Sequence, residues 1–175
     1  MTTKTKFILK ATNIIFWVIF IGLCIKTGAI LISFLVSLFI NSDGAKNLYL
    51  GLNLFDLFTF SKLHYVFIVS FIILLTGLQA YIAYLIVKIF LNFKFTSPFN
   101  ADISLLISKI SYVALGSGIL AMIANAYSDW LINKGTPISQ DWASSEILFF
   151  AGVIYIIAQV FKKGVEIQTE NELTV

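Results

Sequence analysis

Ile147-Leu-Phe-Phe-Ala-Gly-Val-Ile-Tyr-Ile-Ile-Ala-Gln-Val-Phe161, closed by Lys162-Lys163, is the stretch that decides the fold. It holds fifteen residues without a charge and then two lysines, the pattern of a membrane crossing ended by a stop-transfer anchor. Three comparable runs precede it. Hydrophobic residues make up 59% of the chain and charged residues 12%, which is far from the balance of a soluble domain. The expected fold is therefore all-α: an integral membrane four-helix bundle, with residues 1–175 forming a single membrane domain.

The first run follows Lys4, Lys6 and Lys10 and continues, past Lys26-Thr27-Gly28, to Ile40. As one helix, Phe7–Ile40 would be roughly 50 Å long at 1.5 Å per residue, against a hydrocarbon core of roughly 30 Å. Two crossings are excluded, because each half is too short and no turn divides them. The first helix is thus expected to protrude and to pack its outer end on the next segment. Asn41-Ser-Asp-Gly44 signals a turn. Leu48, Leu50, Leu52 and Leu54 then alternate like a strand, whereas Leu54, Phe55, Leu57 and Phe58 have helical spacing. A membrane-surface element reconciles the two patterns. The expected spans are 11–33, 65–90, 101–127 and 145–161, with outer segments 34–64 and 128–144 and a cytoplasmic tail 162–175. Asn100 or Ser97 is placed to cap the third span, with Asp102 in its first turn.

Lysine placement orients the chain. With the N-terminus inside, Lys4, Lys6, Lys10, Lys88, Lys94, Lys109, Lys162 and Lys163 fall on the cytoplasmic side. Only Lys46, Lys62 and Lys134 fall outside, and Lys26 is ambiguous, so both termini are expected in the cytoplasm of a bacterial cell. Tyr65, Tyr127, Trp130 and Trp142 then reach the outer interface, where amphipathic rings belong.

Few residues carry chemistry. Lys26 either snorkels to the interface or forms an intramembrane ion pair with Asp56 or Glu146. His64, the only histidine, is an interfacial residue or half of a pH-responsive pair with Asp56, Asp129 or Asp141. Gln79, Asn125 and Gln159 suit interhelical hydrogen bonds. Ala114, Gly116, Ser117, Gly118 and Ala121 form a small-residue face for close helix approach. The lone Cys24 permits no internal disulfide. No paired-histidine helix, nucleophile elbow or phosphate loop is present, so no enzyme activity, cofactor or metal site is expected. A net charge of +3 with no basic patch gives no reason to expect direct nucleic-acid binding. The tail, with Glu166, Glu170 and Glu172, is either solvated or a helical handle for a basic soluble partner.

Two stretches carry a family likeness. Ser97-Pro98-Phe99-Asn100, with the following Leu106–Tyr112, resembles the Pro-Phe-Ser/Asn signature of the bacterial four-span family catalogued as domain of unknown function 2975. The ending Ile157–Gln168 and Glu170–Val175 is similar to the close of the same family. Here Lys162-Lys163 stand where Arg is common, and Gln159 stands where an acidic residue is frequent. The resemblance implies four spans and a membrane partner for a small Cro/CI-type helix-turn-helix regulator. The residues expected to bind that partner are Pro98, Phe99, Lys162, Lys163, Glu166, Glu170 and Glu172. Besides the lipid bilayer and this sensor or anchor role, a small transporter or an immunity protein against a membrane-active peptide also fits the residues.

Overall fold

In a computed structural model, residues 3–93, 100–136, 138 and 140–173 are described, the side chains of 3–6 and 171–173 excepted. Long apolar stretches free of proline have no reason to leave the helix, and five helices result. They are α1 (Thr3–Phe39), α2 (Phe55–Phe60), α3 (Lys62–Asn92), α4 (Ala101–Asn133) and α5 (Ser144–Leu173), with a 3₁₀ turn at Ser42–Lys46. Four of them, all but α2, are long and apolar enough to cross a membrane. That supports a multi-pass membrane protein.

Where the helices stop has local causes. Asn100 takes the cap of α4: its side chain accepts from the Asp102 and Ile103 amides at 2.7 and 3.1 Å, with Asp102 in the first turn. At the other end α4 runs six residues past Tyr127, to Asn133. No breaker intervenes before Gly135, which takes φ +85°. Likewise α5 passes through Lys162-Lys163 and ends at Leu173. Two lysines can end a crossing without ending a helix, since Lys is a good helix former.

Helix α1 packs on α3, α3 on α4, and α4 on α5. Among the described residues, the backbone of α1 does not closely approach that of α4 or α5. The four long helices form an open row, with α3 and α4 central and α1 and α5 turning most of their apolar surface outward. Ring contacts between Phe16 and Phe90 and between Phe20 and Tyr84 join α1 to α3. The small-residue face behaves as its composition suggests. Ala114, Ser117, Gly118 and Ala121 are buried, and Gly118 lies directly against Leu148 of α5, whereas Gly116 is exposed and lies off the contact.

The best-buried core sits at one end of the row. The end of α1, the 3₁₀ turn, α2, the start of α3 and the end of α4 enclose Ile30, Leu48, Leu57, Tyr65, Ile68 and Leu131. We call this end the cap. Residues 48–54 form neither strand nor helix, and the helical spacing is realised only in α2. Leu48 and Leu52 close a tight loop through Leu48 N–H to Leu52 O at 2.8 Å, with Leu50 and Gly51 at positive φ. Leu48 and Leu54 point inward and Leu50 points out, so the alternating leucines do not share one face as they would in a strand. Gly44 is needed because a Cβ there would lie 3.1 Å from the Ser37 nitrogen and 3.2 Å from the Ser33 oxygen, both backbone atoms of α1. In the same turn, the Lys46 ammonium hydrogen-bonds to Asp43 and holds that carboxyl below its ordinary range.

Candidate functional site

Just below the cap, a crevice opens between α1, α3 and the segment leading into α5. Its polar part encloses about 220 Å³ and is lined by Lys26, Thr76, Gln79, Gln140, Asp141 and Trp142, among others. A second part of about 220 Å³ shares Leu75, Gln79 and Ile147 with the first and continues between α3, α4 and α5 past Ile82, Phe150 and Ile154. The crevice therefore has a polar end with charges of both signs and an apolar arm. Glu146 also borders the arm near its upper end.

The polar end is built from short-range contacts. Trp142 is buried and donates its indole N–H to the Ser128 hydroxyl of α4 at 2.8 Å, while its ring meets the edge of Phe71 of α3. That anchor pins residues 140–143 to the helices. Asp141 accepts from the Ala143 amide at 2.9 Å, and Gln140 donates to the Asp141 carbonyl at 3.0 Å. Thr76 turns its hydroxyl back on the Ile72 carbonyl at 2.8 Å, so it offers a ligand little. Lys26 is half-buried and lines the polar end with Asp141, whereas Glu146 borders only the apolar arm and Asp56 lines neither part. Among the described residues it forms no ion pair within 4.0 Å.

His64 lies elsewhere, within a group of rings on the cap. Its Nδ1 is 2.6 Å from the Tyr127 hydroxyl; Trp130 meets its ring at 5.6 Å and Phe60 stacks on it at 6.3 Å. Its hydrogen-bond partner is thus a phenol rather than Asp56, Asp129 or Asp141. The structure does not bring Lys26 and His64 together as one sensor: Lys26 faces the crevice and His64 the aromatic group.

The partner-binding candidates divide. Lys162, Lys163, Glu166 and Glu170 lie on the last turns of α5 and are exposed, with Lys163 donating to Glu166 at 3.0 Å. Glu172 belongs to the same helix, but its side chain lies outside the described residues, as do Pro98 and Phe99 altogether. Among the described residues no group of three or more His, Cys, Asp or Glu is positioned to hold a metal.

Asp141 and Gln140 are the crevice residues that the sequence underplays. The available signal was the Asp141-Trp142 pair just before the start of α5, since an acidic residue and an interfacial ring mark a helix entry. Nothing local ties that pair to Lys26, which is more than a hundred residues away in the chain. Comparisons with family models, curated proteins and solved structures found no match.

Proposed function

We propose that this is a four-span membrane protein of the bacterial cytoplasmic membrane, with both termini inside and the cap outside, that anchors a soluble regulatory protein through the end of α5. The eight-to-three distribution of lysines supports the orientation. The observation that carries the docking role is the unbroken course of α5. Its 30 residues rise about 45 Å, while a crossing takes up roughly 30 Å. About ten residues therefore extend beyond the membrane as a rigid rod rather than as a loose tail. The rod carries Glu166 and Glu170 beyond Lys162-Lys163. Anionic lipid repels such carboxylates and keeps the rod away from the membrane surface, which leaves it accessible to a basic partner.

A small Cro/CI-type helix-turn-helix regulator fits this surface, and it is the partner that the family likeness implies. With no matching family model, the likeness stands on residues 97–112 and 157–175 alone. In this reading the anchor sequesters the regulator, and events at the cap change the affinity.

A detergent pull-down of the tagged chain from its native host, with and without residues 164–175, tests the proposal. The intact chain is expected to retain a basic DNA-binding protein that the truncated chain loses, and reversing Glu166→Lys with Glu170→Lys is expected to abolish the capture. Retention of the same protein by the truncated chain contradicts the docking role. So does a change in membrane-peptide sensitivity or solute flux that survives truncation with no regulator captured, which would point to immunity or transport instead.

A further inference from the structure

We propose that the crevice below the cap is a binding site for a single phospholipid with a zwitterionic, ethanolamine-type head. The inference needs the four membrane spans but not the docking role of α5. Position comes first. Lys26 lies sixteen residues beyond Lys10, about 24 Å by the helical rise, which puts it near one edge of a hydrocarbon core of roughly 30 Å. From that level the apolar arm runs away from the cap, from Leu75 to Ile82 on α3 and from Ile147 to Ile154 on α5. Seven residues on each helix span about 10 Å. A polar chamber at the membrane edge beside an apolar slot that runs toward the bilayer centre, the two sharing a wall of Leu75, Gln79 and Ile147, has the polarity profile of a lipid. Together the two parts reach the lower range of ligand pockets, roughly 300–1,000 Å³.

Charge selects the head. Lys26 supplies an ammonium for a phosphate, and within the same polar end Asp141 supplies a carboxylate, with Glu146 bordering the arm. A head bearing only negative charge gains from Lys26 but is opposed by the two carboxylates. A phosphoethanolamine head satisfies both signs: its phosphate faces Lys26 and its primary ammonium faces Asp141. A choline head has the same charges but no N–H to donate, so it loses the charge-assisted hydrogen bonds that a primary ammonium makes. Lys26 has no protein ion pair within 4.0 Å among the described residues. A bound phosphate therefore has no intramolecular partner to displace.

Native mass spectrometry of the full chain in detergent tests the site. The delipidated protein is titrated with phosphatidylethanolamine, phosphatidylcholine and phosphatidylglycerol of identical acyl chains. One phosphatidylethanolamine is expected to bind about tenfold more tightly than either competitor, the equivalent of one charge-assisted hydrogen bond. Lys26→Gln is expected to lower that affinity about tenfold. Asp141→Asn is expected to erase the preference for ethanolamine over choline. Both variants should melt, in the absence of lipid, at the wild-type temperature. Equal binding of the three lipids by the wild-type protein overturns the proposal whatever the variants do, as does retention of the full ethanolamine preference by both variants.

Discussion

Gly118→Ile is expected to detach α5 from α4 and to cost about 3 kcal/mol of stability, the upper end of ordinary overpacking. A Cβ at Gly118 would lie 2.5 Å from Cδ2 of Leu148, 2.7 Å from its Cγ and 3.4 Å from its Cα. The alanine variant meets only a side chain that can rotate away. Its overpacking cost, about 1–3 kcal/mol, is partly offset by the gain of about 1 kcal/mol from replacing glycine inside a helix. Isoleucine adds branches that reach the α5 backbone, which cannot rotate away. Between apolar helices in lipid there is little hydrophobic drive to restore the contact, so close packing is what holds the pair together. Gly116 provides the control, because a Cβ there meets nothing within 4 Å. Gly116→Ile should stay within about 0.5 kcal/mol of wild type. Thermal or denaturant unfolding in detergent measures both, and equal behaviour of the two variants would contradict the packing described.

Tyr65→Ala is expected to destabilise the cap by about 3–5 kcal/mol, as large-to-small changes in a packed core do. Tyr65 is completely buried, with Phe58 edge-on at 5.1 Å and Phe34 at 5.7 Å. Its hydroxyl and that of Ser37 are 2.7 Å apart, and Ser37 also donates to the Phe34 carbonyl at 2.7 Å. Since the serine proton goes to Phe34, the tyrosine O–H is the donor between the two. Tyr65→Phe keeps the ring and removes only that bond, so it should cost about 1 kcal/mol. Limited proteolysis at residues 41–54 reports on the cap directly. Rapid cleavage in the alanine variant and wild-type resistance in the phenylalanine variant is the expected pattern. Similar cleavage of both would mean that the hydroxyl, not the ring, holds the cap.

How legible all this was depended on how local the cause was. Unbroken apolar runs show in the sequence without reference to any neighbour, so the four long helices could be read there. The capping of α4 by Asn100 with Asp102 beside it, and the small-residue face of α4, are short-range patterns of the same kind. The cap was another matter. Leu48 to Leu54 carry an alternation that a strand and a tight loop share, and only the closing bond to Leu52 and the positive φ values of Leu50 and Gly51 separate the two. The continuation of α5 past Lys162-Lys163 was ambiguous for a different reason. The lysine pair reports where the membrane ends, and helix propensity, which decides whether the helix ends too, is a weak guide. The crevice depends on Lys26 and Asp141 lining one wall, with Trp142 anchored on Ser128 to hold the Asp141 segment in place. No local pattern encodes such an arrangement.

In the proposed topology the cap lies on one side of the membrane and the end of α5 on the other. Single-cysteine labelling tests it directly. In a Cys24→Ser background, Asn47→Cys on the cap and Thr169→Cys on α5 are each exposed to a membrane-impermeant maleimide in intact and in permeabilised cells. Labelling of Asn47→Cys in intact cells and of Thr169→Cys only after permeabilisation is the expected result. Labelling of both in intact cells, or of neither until permeabilisation, would put the two ends on the same side and contradict it.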